Sequence, residues 1–195
     1  MKAVISLVAI FFSTQVYASP FTLDQSHSAV EFSVKHLMVS NVKGKFEKVS
    51  GGFDFDTQSN ELKDVNMTIE MNSVNTSDKK RDEHLINADF FDTAKFSTMT
   101  FKTTKPVKVV KGKTAKVAGE LTLKGITKPV VLDVVYAGET EFMGMKKIGF
   151  TATTKIKRAD FGVTWNKALD KGGVAVGEEV SVTIEGEANA VQNKK

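Results

Sequence analysis

The stretch Val65-Asn66-Met67-Thr68-Ile69-Glu70-Met71-Asn72 alternates apolar and polar side chains without a break. Successive side chains of an extended strand point to opposite faces, so this stretch has one apolar face and one polar face. The same period of two returns along most of the chain, for example at Val30-Glu31-Phe32-Ser33-Val34-Lys35 and Val180-Ser181-Val182-Thr183-Ile184-Glu185. Repeated over many segments, the period predicts antiparallel strands with one face in water.

Short polar turns separate the alternating segments, such as Ser50-Gly51-Gly52 and Lys111-Gly112-Lys113. This spacing is typical of an all-β domain. About eight long strands joined by hairpin turns can close on themselves and leave no exposed edge, so we predict an all-β, eight-stranded antiparallel barrel. A barrel of this size either fills with its own side chains or holds one small ligand, and the alternation does not decide between the two.

One segment, residues 78–88, breaks the alternation and is rich in Lys, Arg, Glu, His and Leu. Ser77 or Asp78 can cap the first turn of a helix there, and the negative charge of Asp78 suits the positive end of a helix dipole. Arg81 and Leu85 would then share one helical face. The pattern predicts a single short helix beside the barrel.

The first residues of the chain have the features of an export signal. Lys2 precedes an apolar run from Ala3 to Phe12, and Val16-Tyr17-Ala18 offers small residues at a cleavage site. The run is too short for a membrane anchor, which needs about 20 apolar residues. We predict that residues 1–18 are a cleaved signal peptide and that residues 19–195 form one exported domain.

The composition excludes several kinds of chemistry. The chain has no cysteine, which removes thiol catalysis and thiolate metal sites. Its formal net charge is +4, but the lysines are scattered along strands rather than gathered in the basic stripe of a nucleic-acid binder. Neither a His-Glu-x-x-His motif nor a Gly-x-Ser-x-Gly elbow is present. We therefore predict that the protein is not an enzyme and that it binds no metal and no cofactor. The weaker alternative is a metal-dependent hydrolase that uses His27, His36 and His84 with Asp82 or Glu83.

Ordered motifs run through essentially the whole chain after residue 18. They include Asp24-Gln25-Ser26-His27-Ser28, Val42-Lys43-Gly44-Lys45-Phe46, Arg81-Asp82-Glu83-His84-Leu85, Phe90-Phe91-Asp92, Gly119-Glu120-Leu121-Thr122-Leu123 and Arg158-Ala159-Asp160-Phe161-Gly162. This set resembles the YceI-like family of exported bacterial proteins. The resemblance implies a lipocalin-like, eight-stranded barrel with one short helix, a periplasmic location, and a capacity to form homodimers. It also implies non-covalent binding and transport of a long apolar lipid, a polyisoprenoid or a fatty-acid derivative, without a cofactor.

A lipid binder needs apolar strand residues that line a cavity, and methionine and phenylalanine make an adaptable lining. We expect an inner face that includes Met38, Met67, Met71, Met99, Met143 and Met145. Our cavity candidates, any of which can instead pack a solid core, are Phe32, Val34, Met67, Ile69, Met99, Phe101, Leu121, Leu123, Phe150 and Val182.

Four polar residues, His36, Arg81, Asp82 and His84, have two interpretations. They either stand at the mouth of the cavity and meet a lipid head group, or form a buried network that holds the helix against the barrel. If the barrel is instead packed solid, the alternative function is a periplasmic stress or protein-interaction module, in which exposed apolar surface docks a partner.

Overall fold

The computed structural model describes residues 19–170 and 172–192. The predicted signal peptide, residues 1–18, lies outside the described residues. Within the described part, the strands are β1 (Ser19–Leu23), β2 (Ala29–His36), β3 (Ser40–Phe46), β4 (Val49–Asp56), β5 (Glu61–Glu70), β6 (Val74–Asn75), β7 (Thr98–Thr103), β8 (Val107–Lys108), β9 (Thr114–Leu123), β10 (Ile126–Phe142), β11 (Met145–Lys157) and β12 (Val176–Ala190), and the α-helix is α1 (Lys79–Ile86). Short 3₁₀ turns lie at Gln25–His27, Met71–Ser73 and Arg158–Phe161.

The sheet closes on itself through the last strand. Hydrogen-bonded neighbours run in the order β1, β4, β5, β7, β9, β10, β11 and β12, and β12 pairs again with β1. Every pairing in this ring is antiparallel. The predicted eight-stranded antiparallel barrel with one helix is confirmed.

Two of the eight strand positions are built from two pieces each. β12 pairs with β1 near its C-terminal end, where Ala188 faces Leu23, and with β2 further back, where Val182 faces Phe32. β1 and β2 are thus the two pieces of one strand position. β3 and β4 are the two pieces of the next, because β3 pairs with β2 and β4 pairs with β1. The breaks fall at residues 24–28 and 47–48, where the long strands turn a corner of the barrel, and the alternation of the sequence did not reveal them.

The predicted helix forms where the alternation stops. The Asp78 side chain accepts hydrogen bonds from the backbone N–H groups of Lys80 and Arg81, at 3.1 and 3.2 Å, so Asp78 is the N-terminal cap. The helix ends at Ile86, two residues before the predicted end, because the Asn87 backbone is already extended. Leu85 and Ile86 pack against the apolar core of the barrel. Within the described residues, no helix has the length and apolarity that crossing a membrane requires.

The methionine prediction was only partly right. Met67, Met71 and Met99 line the inside of the barrel, whereas Met145 is half-buried and is not among the lining residues. Met38 and Met143 were expected on the inner face, but they are 51% and 89% exposed. Both occupy hairpin turns with positive φ, at 63° and 51°, and the two-residue period of a strand does not apply in a turn.

A polar cluster centred on Asp24 fastens the corner between β1 and β2 to β11 and β12. The Asp24 carboxylate accepts hydrogen bonds from Ser26 Oγ at 2.6 Å and from Lys147 Nζ at 3.4 Å. Ser26 bonds to Oδ1, whereas Lys147 bonds to Oδ2, and His27 Nδ1 and Asn189 Nδ2 also lie 3.1 and 3.3 Å from Oδ2. The hydrogen bonds from Ser26 and His27 hold the pKa of Asp24 well below its usual range.

We expect the Asp24→Asn variant to have a lower Tm than the wild type at neutral pH. The folded-state pKa of Asp24 lies below its unfolded value of about 3.9, so the ionised carboxylate stabilises the fold above that pH. This stabilisation disappears as the pH falls through the folded-state pKa, and the difference in Tm should shrink below about pH 4. Thermal melts across a pH series measure it.

The control variant is Asp170→Asn, which removes the same charge at an exposed position. It should change the Tm little at any pH in the series. A difference in Tm for Asp24→Asn that is as large under acidic as under neutral conditions would contradict the role assigned to the ionised carboxylate.

Candidate functional site: an apolar cavity inside the barrel

The barrel encloses a cavity of about 400 Å³. This volume lies within the range of roughly 300–1,000 Å³ that is usual for small-molecule sites. The interior is therefore not filled by its own side chains, which the sequence had left open. All ten cavity candidates line this one space: Phe32, Val34, Met67, Ile69, Met99, Phe101, Leu121, Leu123, Phe150 and Val182.

The cavity stays open because aromatic rings lie along its wall. Three of the lining phenylalanines rest on glycines of adjacent strands: Phe32 on Gly44, Phe101 on Gly119 and Phe150 on Gly186. A Cβ atom at Gly186 would stand only 2.4 Å from Cζ of Phe150, so any side chain there would push the ring inward. The missing glycine side chains thus preserve volume at the centre of the barrel.

Further lining residues share strand faces with the candidates and were within reach of the sequence pattern. Val30 and Ile184 lie two positions from Phe32 and Val182, and Val65 lies two positions from Met67. Trp165 also lines the cavity, but it belongs to the irregular segment between β11 and β12. No periodicity marks such a segment, so Trp165 could not be predicted as a lining residue from the alternation.

The two ends of the cavity differ. Phe53, Phe55, Tyr136 and Ile148 line one end and are at most 8% exposed, so we call this end the floor. Its rings are closely packed, with the Phe55 and Tyr136 centroids 5.1 Å apart. Burial raises the pKa of the Tyr136 hydroxyl, which therefore stays neutral at physiological pH.

The opposite end is polar and reaches solvent. Its lining includes His36, Arg81, His84 and Trp165, and we call this end the mouth. The side chains of Arg81 and His84 are 39% and 37% exposed, so they contact both the cavity and water. The basic residues of the lining are Lys35, His36, Arg81, His84 and Arg158. No carboxylate is among the lining residues that the structure describes.

Thr76 connects the helix to the barrel at the mouth. Arg81 donates from Nε to Thr76 Oγ1 at 2.7 Å and from Nη2 to the Thr76 carbonyl at 2.8 Å. Asp82 accepts from the Thr76 N–H and hydroxyl groups at 2.9 and 2.6 Å. Thr76 is buried and follows β6, which pairs with β3. Arg81 and Asp82 thus both bond to Thr76 and link the helix to the barrel, but the Arg81 side chain is half-exposed rather than buried.

The four polar candidates therefore separate. Asp82 belongs to the network and is not part of the cavity lining, whereas Arg81 belongs to both. His84 lies on the lining with Nε2 3.0 Å from Asp89 Oδ2, and its ring meets the Trp165 ring at a centroid distance of 5.1 Å. His36 lines the cavity from the last position of β2.

Arg158 lies on the other side of the mouth; it belongs to one of the quoted motifs but was not among the predicted site residues. It is only 7% exposed, and it donates from Nη1 to the carbonyls of Val163 and Trp165 at 2.7 and 2.9 Å. Its Nε donates to the Gly177 carbonyl at 2.8 Å. Burial lowers the pKa of Arg158 from its ordinary value. These bonds fix the segment that places Trp165 beside the cavity.

The residues proposed for a metal do not come together. Within the described residues, the only cluster of candidate metal ligands is Asp24, His27 and Glu187, whose ligand atoms lie within 4.8 Å of one another. Lys147 bonds to both Asp24 and Glu187, and the hydrogen bond with Glu187 raises the pKa of Lys147. The lysine ammonium thus already supplies the positive charge, and the cluster is explained as a structural network.

A closed antiparallel barrel with one helix and an apolar cavity that reaches solvent at one end defines a class of small, hollow barrel proteins. The model of the YceI-like domain matches residues 21–188, and the chain belongs to the YceI-like family. UPF0312 protein SA2479 of Staphylococcus aureus (strain N315) is 38% identical over 162 residues, covering 82% of this chain and 91% of that protein.

Solved structures agree with the fold. A YCEI protein of Campylobacter jejuni is 38% identical with a TM-score of 0.68, over 81% of this chain and 90% of that one. A domain of Saccharophagus degradans, described as polyisoprenoid-binding and implicated in plant cell wall breakdown, has a TM-score of 0.65 over 88% of this chain and 98% of that one. At 20% identity, this second likeness shows a shared fold.

We expect the Arg81→Ala variant to have a lower Tm, because it removes two hydrogen bonds to Thr76 and leaves a buried carbonyl without its donor. The loss in the free energy of unfolding should be about 1–3 kcal/mol. Chemical denaturation of the purified protein measures it.

Lys79→Ala is the matched control, since it removes a positive charge at an exposed position on the same helix. It should cost much less stability. If Arg81→Ala is as stable as the control but loses lipid binding, Arg81 is instead a contact for the ligand head group.

Proposed function

We propose that this protein binds a long apolar lipid non-covalently inside its barrel. The observation that carries the proposal is the cavity itself, in which apolar side chains from the barrel strands surround a continuous space. The ten candidate residues, from Phe32 on β2 to Val182 on β12, would contact the hydrocarbon part of the ligand. The domain of Saccharophagus degradans that is described as polyisoprenoid-binding supports an isoprenoid as one ligand class.

The two ends of the cavity support one orientation of the ligand. The buried aromatic floor offers apolar contact at Phe53 and Phe55, which suits the end of a hydrocarbon tail. The mouth offers hydrogen-bond donors on Arg81 and His84 that reach both the cavity and water. We infer that the tail enters first and that a polar head group remains near the mouth.

The length of the tail decides whether such binding is useful. At roughly 0.3 kcal/mol per non-hydrogen atom, a tail of about 20 carbons yields about 6 kcal/mol, which corresponds to tens of micromolar. A tail of about 40 carbons would reach about 12 kcal/mol, in the nanomolar range, if the whole tail were sheltered from water. Long isoprenoid or acyl chains are therefore the favoured ligands.

The export signal expected at residues 1–18 supports a carrier that works in the periplasm. An aqueous compartment between two membranes requires a sheath for any long hydrocarbon that crosses it, because each exposed CH₂ group costs about 0.8 kcal/mol. The binding and release of such a ligand need no bond chemistry. We infer a carrier rather than an enzyme.

Protein purified from its own host should retain its ligand. We expect native mass spectrometry to show a stoichiometric mass increment, and organic extraction to release a lipid with a long hydrocarbon chain. The stripped protein should bind the same lipid on titration, with quenching or a shift of the fluorescence of Trp165, the only tryptophan of the chain. An empty protein that also takes up no prenyl or acyl lipid on titration would overturn the proposal.

A substitution that fills the cavity should prevent this binding. We expect Val182→Trp to lower the affinity for the extracted lipid by about tenfold or more, because the indole occupies space that the ligand needs. Native mass spectrometry of the loaded fraction measures the change.

Val131→Trp is the matched control, since Val131 lies on β10 with its side chain half exposed on the outside of the barrel. It should bind the lipid like the wild type. Equal binding by both variants would show that the lipid lies elsewhere.

A further inference from the structure

The hairpin between β2 and β3 ends in three consecutive exposed apolar residues. Leu37, Met38 and Val39 are 42%, 51% and 81% exposed, and we call them the mouth tip. An apolar group of this kind at the surface often marks a place where a partner or a membrane binds.

The backbone of the mouth tip is unusual for these side chains. Leu37 and Met38 have φ values of 48° and 63°, and the Val39 N–H group donates to the His36 carbonyl at 3.1 Å. Two successive residues with positive φ form the pattern of a type I′ turn, which normally takes Asn and Gly because bulky residues are strained there. The turn thus holds large apolar side chains in water, in a conformation that disfavours them, and the core gains little from them.

The mouth tip continues directly from the cavity. His36 and Val176 face each other in register, and both line the cavity. The next residue, Leu37, donates its backbone N–H group to the Ala175 carbonyl at 2.9 Å. The mouth tip therefore stands at the edge of the opening through which a ligand would pass.

The hairpin between β10 and β11 is a natural comparison. Its Phe142 and Met143 are 60% and 89% exposed, so it is at least as apolar. The nearest cavity-lining residues on these strands are Tyr136 and Ile148, and both belong to the closed floor. The two hairpins thus offer similar exposed apolar groups at the two different ends of the barrel.

The charges around the two hairpins also differ. Residues 35–45 include Lys35, Lys43 and Lys45 and no acidic residue. Lys45 is paired with Glu47 at 3.4 Å. Of the two glutamates that follow Val176 on β12, Glu179 is paired with Lys155 at 2.8 Å. Lys35 and Lys43 are therefore the basic residues to consider next to the mouth tip. The neighbouring segment, which reaches Met38 at Gly173, carries Lys167, Asp170 and Lys171 in its sequence, a net charge of +1.

Around the hairpin at the floor, by contrast, residues 139–147 combine two glutamates with two lysines. Basic residues beside exposed apolar groups are the combination that binds anionic lipid surfaces.

We propose that the mouth tip inserts into an anionic lipid surface and seats the mouth of the cavity on the membrane. The inference rests on the proposed function, because a lipid that moves between bilayer and cavity then avoids water. The apolar side chains of the mouth tip enter the interface between head groups and acyl chains, while Lys35 and Lys43 meet the anionic head groups.

Vesicle sedimentation tests the proposal. The protein used should begin at Ser19, where β1 starts. The apolar run from Ala3 to Phe12 would otherwise bind vesicles by itself. The test variant is Met38→Ser with Val39→Ser, and the matched control at the floor is Phe142→Ser with Met143→Ser. Each is mixed with phosphatidylethanolamine–phosphatidylglycerol vesicles and, separately, with pure phosphatidylcholine vesicles.

We expect the wild type and the floor control to bind the anionic vesicles. The affinity of the mouth-tip variant for these vesicles should be lower by about tenfold or more. Binding of the wild type should weaken with added salt and in the Lys43→Gln variant, because Lys43 contributes through charge. Val39→Ser alone, which changes only the most exposed residue of the three, should show a smaller loss in a protein with an unchanged Tm.

Three results would overturn the proposal: no vesicle binding by the wild type, undiminished binding by the mouth-tip variant, or an equal loss in the floor control. If the mouth-tip variant converts a dimer to a monomer in sedimentation velocity and leaves vesicle binding unchanged, the surface binds a second copy of the chain instead. Lipid extraction keeps the two proposals apart. An extracted lipid without vesicle binding overturns docking alone, whereas vesicle binding without any lipid in the cavity overturns the proposed function.

Discussion

The pairing of β12 with β1 is the constraint on which the rest of the structure depends. It turns a sheet with one apolar face into a closed wall, so the apolar face of every strand must point at the same interior. Eight strands enclose a space that side chains can just fill. Here they do not fill it, because three phenylalanine rings lie back against glycines of adjacent strands. Closure thus supplies the apolar surroundings, and the placement of Gly44, Gly119 and Gly186 supplies the volume.

The mouth is held open by polar bonds that lie beside the cavity rather than across it. Arg81 and Asp82 both bond to Thr76, which fixes the helix over the edge of β3. Arg158 donates its hydrogen bonds to backbone carbonyls and so orders the segment that carries Trp165. The hydrogen-bond partners of this guanidinium are neutral carbonyls, and burial disfavours its charge and lowers its pKa, an effect that the negative charge of Glu178 opposes. This unfavourable burial occurs where Arg158 holds the irregular segment between β11 and β12 in one conformation.

The sequence was informative wherever the two-residue period applied. Phe32, Met67, Phe101 and Val182 all line the cavity because the face of a strand follows from parity alone once the barrel is closed. Prediction failed where the chain leaves that period. Met38 and Met143 lie in turns, and Trp165 lies in an irregular segment. That the interior is hollow also could not be read from parity, since a filled barrel and an empty one have the same alternation and differ only in how rings and glycines match across strands.

The asymmetry of the barrel gives the cavity a direction. At the floor, aromatic residues pack against one another and exclude water, while at the mouth Arg81 and His84 contact water and cavity together. A ligand with one polar end can satisfy both environments in only one orientation, because a polar group left without a partner among the floor residues would cost several kcal/mol. If the protein binds lipid as proposed, this asymmetry favours amphiphiles with a single polar end, through the burial of one end rather than through a specific contact. On that proposal, short and scattered motifs are enough to specify a binding site, because the site depends on which faces of the strands are apolar and on which end is buried.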